Sequence, residues 1–231
     1  MALHWKPARP AGRVVLEGRL VRLEPLDVER HAEDLYAAQA AAPEIWMYLP
    51  DGPFAGEADF HDWLVARAAA PDPLFYAIVD RGSGRALGMA SYLRISPDHG
   101  VIEVGYIWYS PALQRTPAAT ETMYLMARHV FDDLGYRRYE WKCNALNEPS
   151  RRAALRLGFT FEGVFRQHMV VKDRNRDTAW YSMLDSEWPA AKAAFEAWLQ
   201  PDNFDGQGHQ LRGLAELRDD RNKERRSEVR R

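Results

Sequence analysis

The chain has 231 residues, 46% of them hydrophobic and 28% charged, with a formal net charge of −2 and a single cysteine. This is enough for one domain of ordinary size, or at most two small ones, around a full apolar core. It excludes a global basic field aimed at nucleic acid, an internal disulfide and, because no stretch approaches the ~20 apolar residues of a membrane span, a helical membrane protein. No apolar run near the N-terminus resembles a secretion signal, so a cytoplasmic protein is expected.

Residues 1–13 hold two prolines, a glycine and three basic side chains and read as a loose arm, which we extend to residue 18. Arg19 to Pro25 alternates polar and apolar residues, as a strand does. Asp27 fits the N-cap of a helix reaching about Ala41. Glu44 to Phe54 packs Trp46, Tyr48 and Phe54 between two prolines and a glycine. It reads either as a buried connector with aromatic plugs or as a lid whose Trp46 and Tyr48 touch substrate. A second helix spans about Glu57 to Ala69. Pro73 to Asp80 and Arg85 to Arg94 form a hairpin, and Ser96 to Gly100 is a turn.

Val101 to Tyr109 is β-branched and aromatic, as a strand requires. Thr116 then fits an N-cap and Pro117 the first helical position, with Met123, Met126, Val130 and Leu134 at helical spacing and Gly135 past the end. Tyr139 to Cys143 is a short strand with Tyr139, Trp141 and Cys143 on one face. Asn147 caps a helix that Gly158 ends. Phe159 to Val171 and Thr178 to Leu184 form a hairpin across a charged turn at 172–177, and a helix covers Trp188 to Trp198. From Arg212 to Arg231 there are eight Arg or Lys against five Asp or Glu, a formal +3. Residues 201–231 therefore read as a solvated, flexible tail, with a contact to an acidic partner or the ribosome as the other reading. The order predicts one mixed α/β sheet, mostly antiparallel, with helices on both faces, over residues 19–200.

The helices after Thr116 and Asn147 each start from a loop that follows a strand. If those strands are neighbours, both helix N-termini open on one groove, an anion site. Glu103 sits on the first strand, sharing a face with Gly105, and is either an ion-paired strand residue or a general base. Ser150 is either a first-turn residue satisfying backbone amides or a proton donor. Cys143 reads as core rather than nucleophile. The seven histidines show no metal spacing and no metal is expected.

Three segments carry a family resemblance: Glu103 to Glu121 (EVGYIWYSPALQRTPAATE), Asn144 to Gly163 (NALNEPSRRAALRLGFTFEG) and, more weakly, Trp180 to Leu184 (WYSML). The chain resembles the GNAT superfamily of acyl-CoA-dependent N-acetyltransferases, within it the Rim-type ribosomal-protein N-terminal acetyltransferases. The resemblance implies acetyl-CoA as co-substrate and a primary amine acceptor, a small molecule or a protein N-terminus. It implies Glu103 as base and Ser150 as donor to the leaving sulfur. The backbone at Trp108 and Tyr109 would hold pantetheine and the thioester. Gln114, Arg115, Thr116, Ala118, Ala119 and Thr120 would hold pyrophosphate, and Asn144, Asn147 and Ser150 would complete the cofactor site. Trp46, Tyr48 and Glu103 would meet substrate, with the 46–54 segment and the 172–177 turn framing the pocket. The family's phosphate loop has a glycine where this chain has Pro117, which removes one backbone donor; Arg115 and the hydroxyls of Thr116 and Thr120 are the expected compensation. A reference pKa of ~7.7 to 8.0 for an α-amine against ~10.4 for lysine favours an α-amine or amino-acid-like acceptor for a single carboxylate base. A non-catalytic CoA-binding sensor or interaction module on the same fold is the alternative. A homodimer is compatible with the reading, and nucleic acid is not expected as a partner.

Overall fold

Strand alternation divides the chain between two cores. In the computed structural model, which describes residues 4–229, Leu74, Tyr76 and Ile78 of the third strand point into one core while Phe75, Ala77 and Val79 point into the other. A strand buried on both sides must lie inside a sheet with cover on each face. The sheet has eight strands: β1 (Leu16–Glu17), β2 (Val21–Pro25), β3 (Leu74–Asp80), β4 (Ala86–Ser96), β5 (Val101–Tyr109), β6 (Arg138–Asn144), β7 (Thr160–Val171) and β8 (Arg174–Leu184). Their order is β1-β2-β3-β4-β5-β6-β8-β7, and β5–β6 is its parallel pair.

One face is covered by α1 (Val28–Ala40) and α2 (Glu57–Ala69), the other by α3 (Pro117–Arg128), α4 (Glu148–Leu157), α5 (Trp188–Trp198) and α6 (Leu214–Val229). The caps are those the residue types call for. Asp27 accepts from Arg30 N–H, Thr116 from Ala119 N–H and Asn147 from Ser150 N–H, while Gly158 closes α4 at φ +104°.

Three expectations are corrected. The arm is not loose among its described residues: Trp5 Nε1 donates to Asp98 O at 2.7 Å, and Ala8 and Arg9 donate to Pro97 O and Leu134 O. The tryptophan lies against Gly100, where a Cβ would meet its ring at 2.4 Å and φ is +62°. The 172–177 turn is really two residues, Lys172 and Asp173, both at positive φ, as a tight right-twisted hairpin demands; Arg174 to Asp177 join β8. Residues 201–229 dock rather than float. Leu214 is buried, and Arg218 donates to the carbonyls of Leu155 and Arg156 at the C-terminal end of α4, where a cation is favoured. Two leucines and one arginine on a single face suffice, too weak a pattern to stand out in a charged run.

Candidate active site

β5 and β6 pair from Val101/Arg138 to Val104/Trp141 and then part. The cause is in β5. Its register to β4 gains a residue between Gly105 and Trp108, and Tyr106 takes φ +49°, so a bulge bends the strand away. Beyond it β6 stays with β8 and β5 with β4. The gap opens into a cavity of about 450 Å³. Residues from both faces of the sheet line it: Trp141, Cys143 and Ser150 from the side of α3 and α4, and Glu103, Lys142 and Arg176 from the other. The cavity therefore passes through the sheet.

Glu103 is 6% exposed and faces Glu140 in register across the parallel pair. Two opposed carboxylates would repel. Lys142 relieves this: its Nζ donates to Glu103 Oε2 at 2.8 Å and lies 2.7 Å from Glu140 Oε2, with the Trp180 ring centroid 3.8 Å away. The carboxyls are nonetheless unequal. Burial pushes Glu103 above the ordinary carboxylate range against the pull of Lys142. Burial also raises Glu140, but hydrogen bonds from both Lys142 and Arg138 outweigh it and hold that carboxyl low. Glu103 thus has the character of a base that titrates late.

Ser150 accepts from Trp141 Nε1–H at 3.0 Å, and only its backbone N–H serves the α4 cap. Its hydroxyl satisfies no backbone amide; with the indole on a lone pair, its O–H faces the Cys143 sulfur, whose pKa it pulls down against burial. Asn144 and Asn147 line the same cavity, their Oδ1 atoms bound to Leu146 N–H and Ser150 N–H.

Because β5 and β6 run parallel side by side, α3 and α4 start from the same end of the sheet. The loop before α3 departs from expectation. Thr116 Oγ1 donates to Leu113 O and accepts from Ala119 N–H, and the buried Thr120 hydroxyl takes a hydrogen bond from Arg156. The Thr116 hydroxyl is thereby used in both directions, and the Thr120 hydroxyl is buried beside Arg156. Gln114 Nε2 is likewise turned back to Tyr109 O. What fits an anion is the Ala118 amide, in a first turn where proline supplies no donor and Ala119 is capped, with the exposed Arg115, at φ +60°, beside it.

Trp46 is also corrected. It is fully buried among Phe54, Phe60, Trp63 and Trp108, its indole donating to Gln39, and it is a core plug rather than a pocket wall. Tyr48, whose hydroxyl donates to Leu146 O, does line the cavity, and Lys172 ties the β7–β8 turn to Trp46 O. Trp108 and Tyr109 do not line the cavity; Gly105, Tyr106 and Ile107 do, one bulge earlier. Sequence reasoning missed Lys142, Arg94 and Arg176. Lys142 was within reach, since alternation in YEWKC puts it with Glu140 opposite the apolar face; the arginines depend on bulges and register.

The chain matches the acetyltransferase (GNAT) domain family over residues 20–160. A GCN5-related N-acetyltransferase from Brucella melitensis is 52% identical, with a TM-score of 0.92 over 94% of this chain and 99% of that one. YdaF of Bacillus subtilis (strain 168), named as a candidate ribosomal N-acetyltransferase, is 26% identical over 174 residues, 74% of this chain and 92% of that protein. The ribosomal-protein-serine acetyltransferase of Escherichia coli (strain K12) is 29% identical over 102 residues, 44% of this chain and 56% of that protein.

Proposed function

The chain belongs to the acetyltransferase (GNAT) domain family, and from that premise we propose that it transfers an acetyl group from acetyl-CoA to a primary amine, an α-amine of a protein N-terminus, peptide or amino-acid-like molecule. The observation that carries this reading is the cavity through the sheet, with Glu103 on one side and Ser150 on the other. Two reactants entering from opposite faces meet at the gap between β5 and β6, which is what direct transfer in a ternary complex needs. Acetyl-CoA, when bound, supplies the thioester and leaves as the thiol.

The chain's own groups account for the proton movements. Glu103, directly or through a water, takes the proton of the attacking amine. The β5 backbone past Val104, released from β6, offers amides to the developing oxyanion. Ser150 donates its O–H proton toward the departing sulfur. Arg115 and the Ala118 amide meet the pyrophosphate. The catalytic unit is assigned to residues 19–200 in a cytoplasmic enzyme, consistent with a single buried cysteine.

The direct test follows thiol release from acetyl-CoA with a panel of α-amines, small amines and peptides. Turnover is expected with α-amines. Tight CoA binding by calorimetry with no turnover of any amine would instead identify a CoA-binding module.

Two variants probe the roles. Ser150→Ala is expected to lower kcat by about 10- to 100-fold, at the low end of acid–base contributions. Its melting temperature should fall by only a few degrees, since the Asn147 cap uses only the backbone of residue 150 and the Trp141 indole alone loses its acceptor. A large loss of melting temperature with kcat intact would return Ser150 to a structural role. Lys142→Met removes the cation that opposes burial at Glu103, so the acid limb of the kcat–pH profile should move to higher pH. An unmoved limb would detach that limb from Glu103.

A further inference from the structure

Charged side chains lining the cavity are not balanced. Glu103 is matched by Lys142, which leaves Arg94 and Arg176. Neither guanidinium has a hydrogen bond or an ion pair among the described residues, and Arg176 Nε is buried without a partner. A buried donor left unpaired is costly, and among the buried side-chain atoms in that state Arg176 Nε belongs to a cation that lines the cavity, where an anionic ligand can reach it. Arg94 lies with its guanidinium 5.9 Å from the Trp180 ring, on the face that also carries Lys142. The backbone holds it there: residue 94 has φ +52°, at an irregularity of β4 whose two amides, Arg94 and Ile95, are held by the Asp72 carboxylate. Such a strained non-glycine residue persists where the surroundings require it.

The consequence for the acceptor is electrostatic. A plain ammonium entering beside two free guanidinium groups is repelled, whereas an amine that brings its own anion is drawn in. Guanidinium is also the side chain best shaped to grip a carboxylate with two parallel hydrogen bonds. Resting on the amine-acetyltransferase reading, we propose that the acceptor is an amine bearing a carboxylate, that Arg176 binds this carboxylate inside the cavity, and that Arg94 assists at its mouth. The neighbouring His168 reports the same cations: burial, then Arg176, Arg94 and Lys142, hold it below its usual range. The same cations favour the neutral form of the incoming amine, which lightens the task of Glu103.

Two sources present this chemistry, a free amino acid and a peptide N-terminus with an acidic side chain. Matched acceptors separate them: alanine against alaninamide, and a peptide beginning Ala-Glu against one beginning Ala-Gln, compared at equal ionic strength and equal free-amine fraction. In at least one pair the carboxylate member should have a kcat/KM about 10- to 100-fold higher, the range of a charge-assisted hydrogen-bonded pair. Arg176→Gln should shrink that ratio below about threefold and Arg176→Lys should restore part of it, by the same charge-assisted bond. Because Arg176 has no protein partner to lose, the melting temperature of Arg176→Gln should equal or exceed that of the parent. Equal rates within both pairs for the parent enzyme overturn the inference and leave amine acetylation standing. So does a ratio that survives in Arg176→Gln, or a marked fall in melting temperature of that variant. The parent ratio decides even where a variant does not fold. Absence of thiol release with every acceptor removes the transferase reading itself, and this inference with it.

Discussion

Glu103→Gln should lower kcat by about 100- to 1,000-fold near neutral pH, while CoA affinity stays within a few-fold of the parent. The amide keeps the size of the side chain and loses the base. Burial raises the Glu103 carboxyl against the pull of Lys142, so the parent enzyme should lose activity as pH falls through a range above that of an ordinary carboxyl. The sign follows from the role: the base works only ionised, and burial favours its protonated form. In the variant that limb should vanish. What remains should climb with pH as the acceptor supplies its own neutral fraction, so the deficit is largest at low pH. A variant whose pH–rate profile matches the parent's would move the base to another group. Glu140 is a poor substitute, since Arg138 and Lys142 both stabilise its ionised form.

Glu121→Ala is expected to cost about 3 kcal/mol of stability, from unmaking charge-assisted bonds and leaving buried donors unpaired. Glu121 is on α3 and 5% exposed, and its carboxylate accepts from three successive amides, Arg19 at 2.9 Å, Leu20 at 2.6 Å and Val21 at 2.8 Å. These amides make the turn from β1 into β2. Gly18 completes the fit: a Cβ there would sit 2.5 Å from Glu121 Oε2. Alanine leaves the three donors with no acceptor in a turn that water reaches only in part. For a protein of this size each kcal/mol moves Tm by roughly 2 to 4 °C, so a fall of about 6 to 12 °C should follow, with a matching drop in denaturation midpoint. Glu121→Gln keeps one acceptor oxygen and should lose less. A loss under about 1 kcal/mol for alanine would mean that the turn holds by other means. Because α3 also presents the Ala118 amide, with Arg115 in the loop that leads into it, a loosened α3 should weaken CoA binding too.

Much of the fold was legible because it is written locally. Alternation marked β2, and β-branched and aromatic residues marked β5. Asp27, Thr116 and Asn147 marked three helix starts, Pro117 set a first turn, Gly158 marked the end of α4, and Gly135, at φ +76°, lies just past the turn His129–Asp133 that continues α3, each by a side-chain or backbone property acting within a few residues. The candidate base and proton donor were legible for a related reason. Glu103 breaks an apolar strand and Ser150 opens a capped helix, so each stands out from its neighbours.

What could not be read depends on distant partners or on a shift of register. Trp46 and Tyr48 lie two residues apart in one aromatic segment; packing against Phe54, Phe60, Trp63 and Trp108 buries the first, while the second faces the cavity. The hydroxyls of Thr116 and Thr120 looked free until Leu113 O, Ala119 N–H and Arg156 claimed them. The charged C-terminal segment looked solvated until Leu214 and Arg218 met the sheet core and the end of α4. The amino-acid order alone determined the strand–loop–helix unit from Val101 to Gly135, its carboxylate and its capped helix start, because periodicity and capping are local. The tertiary structure decided the opening beside it. One extra residue at Tyr106 parts β5 from β6, and that parting opens the cavity that Glu103, Lys142, Arg176 and Ser150 line together.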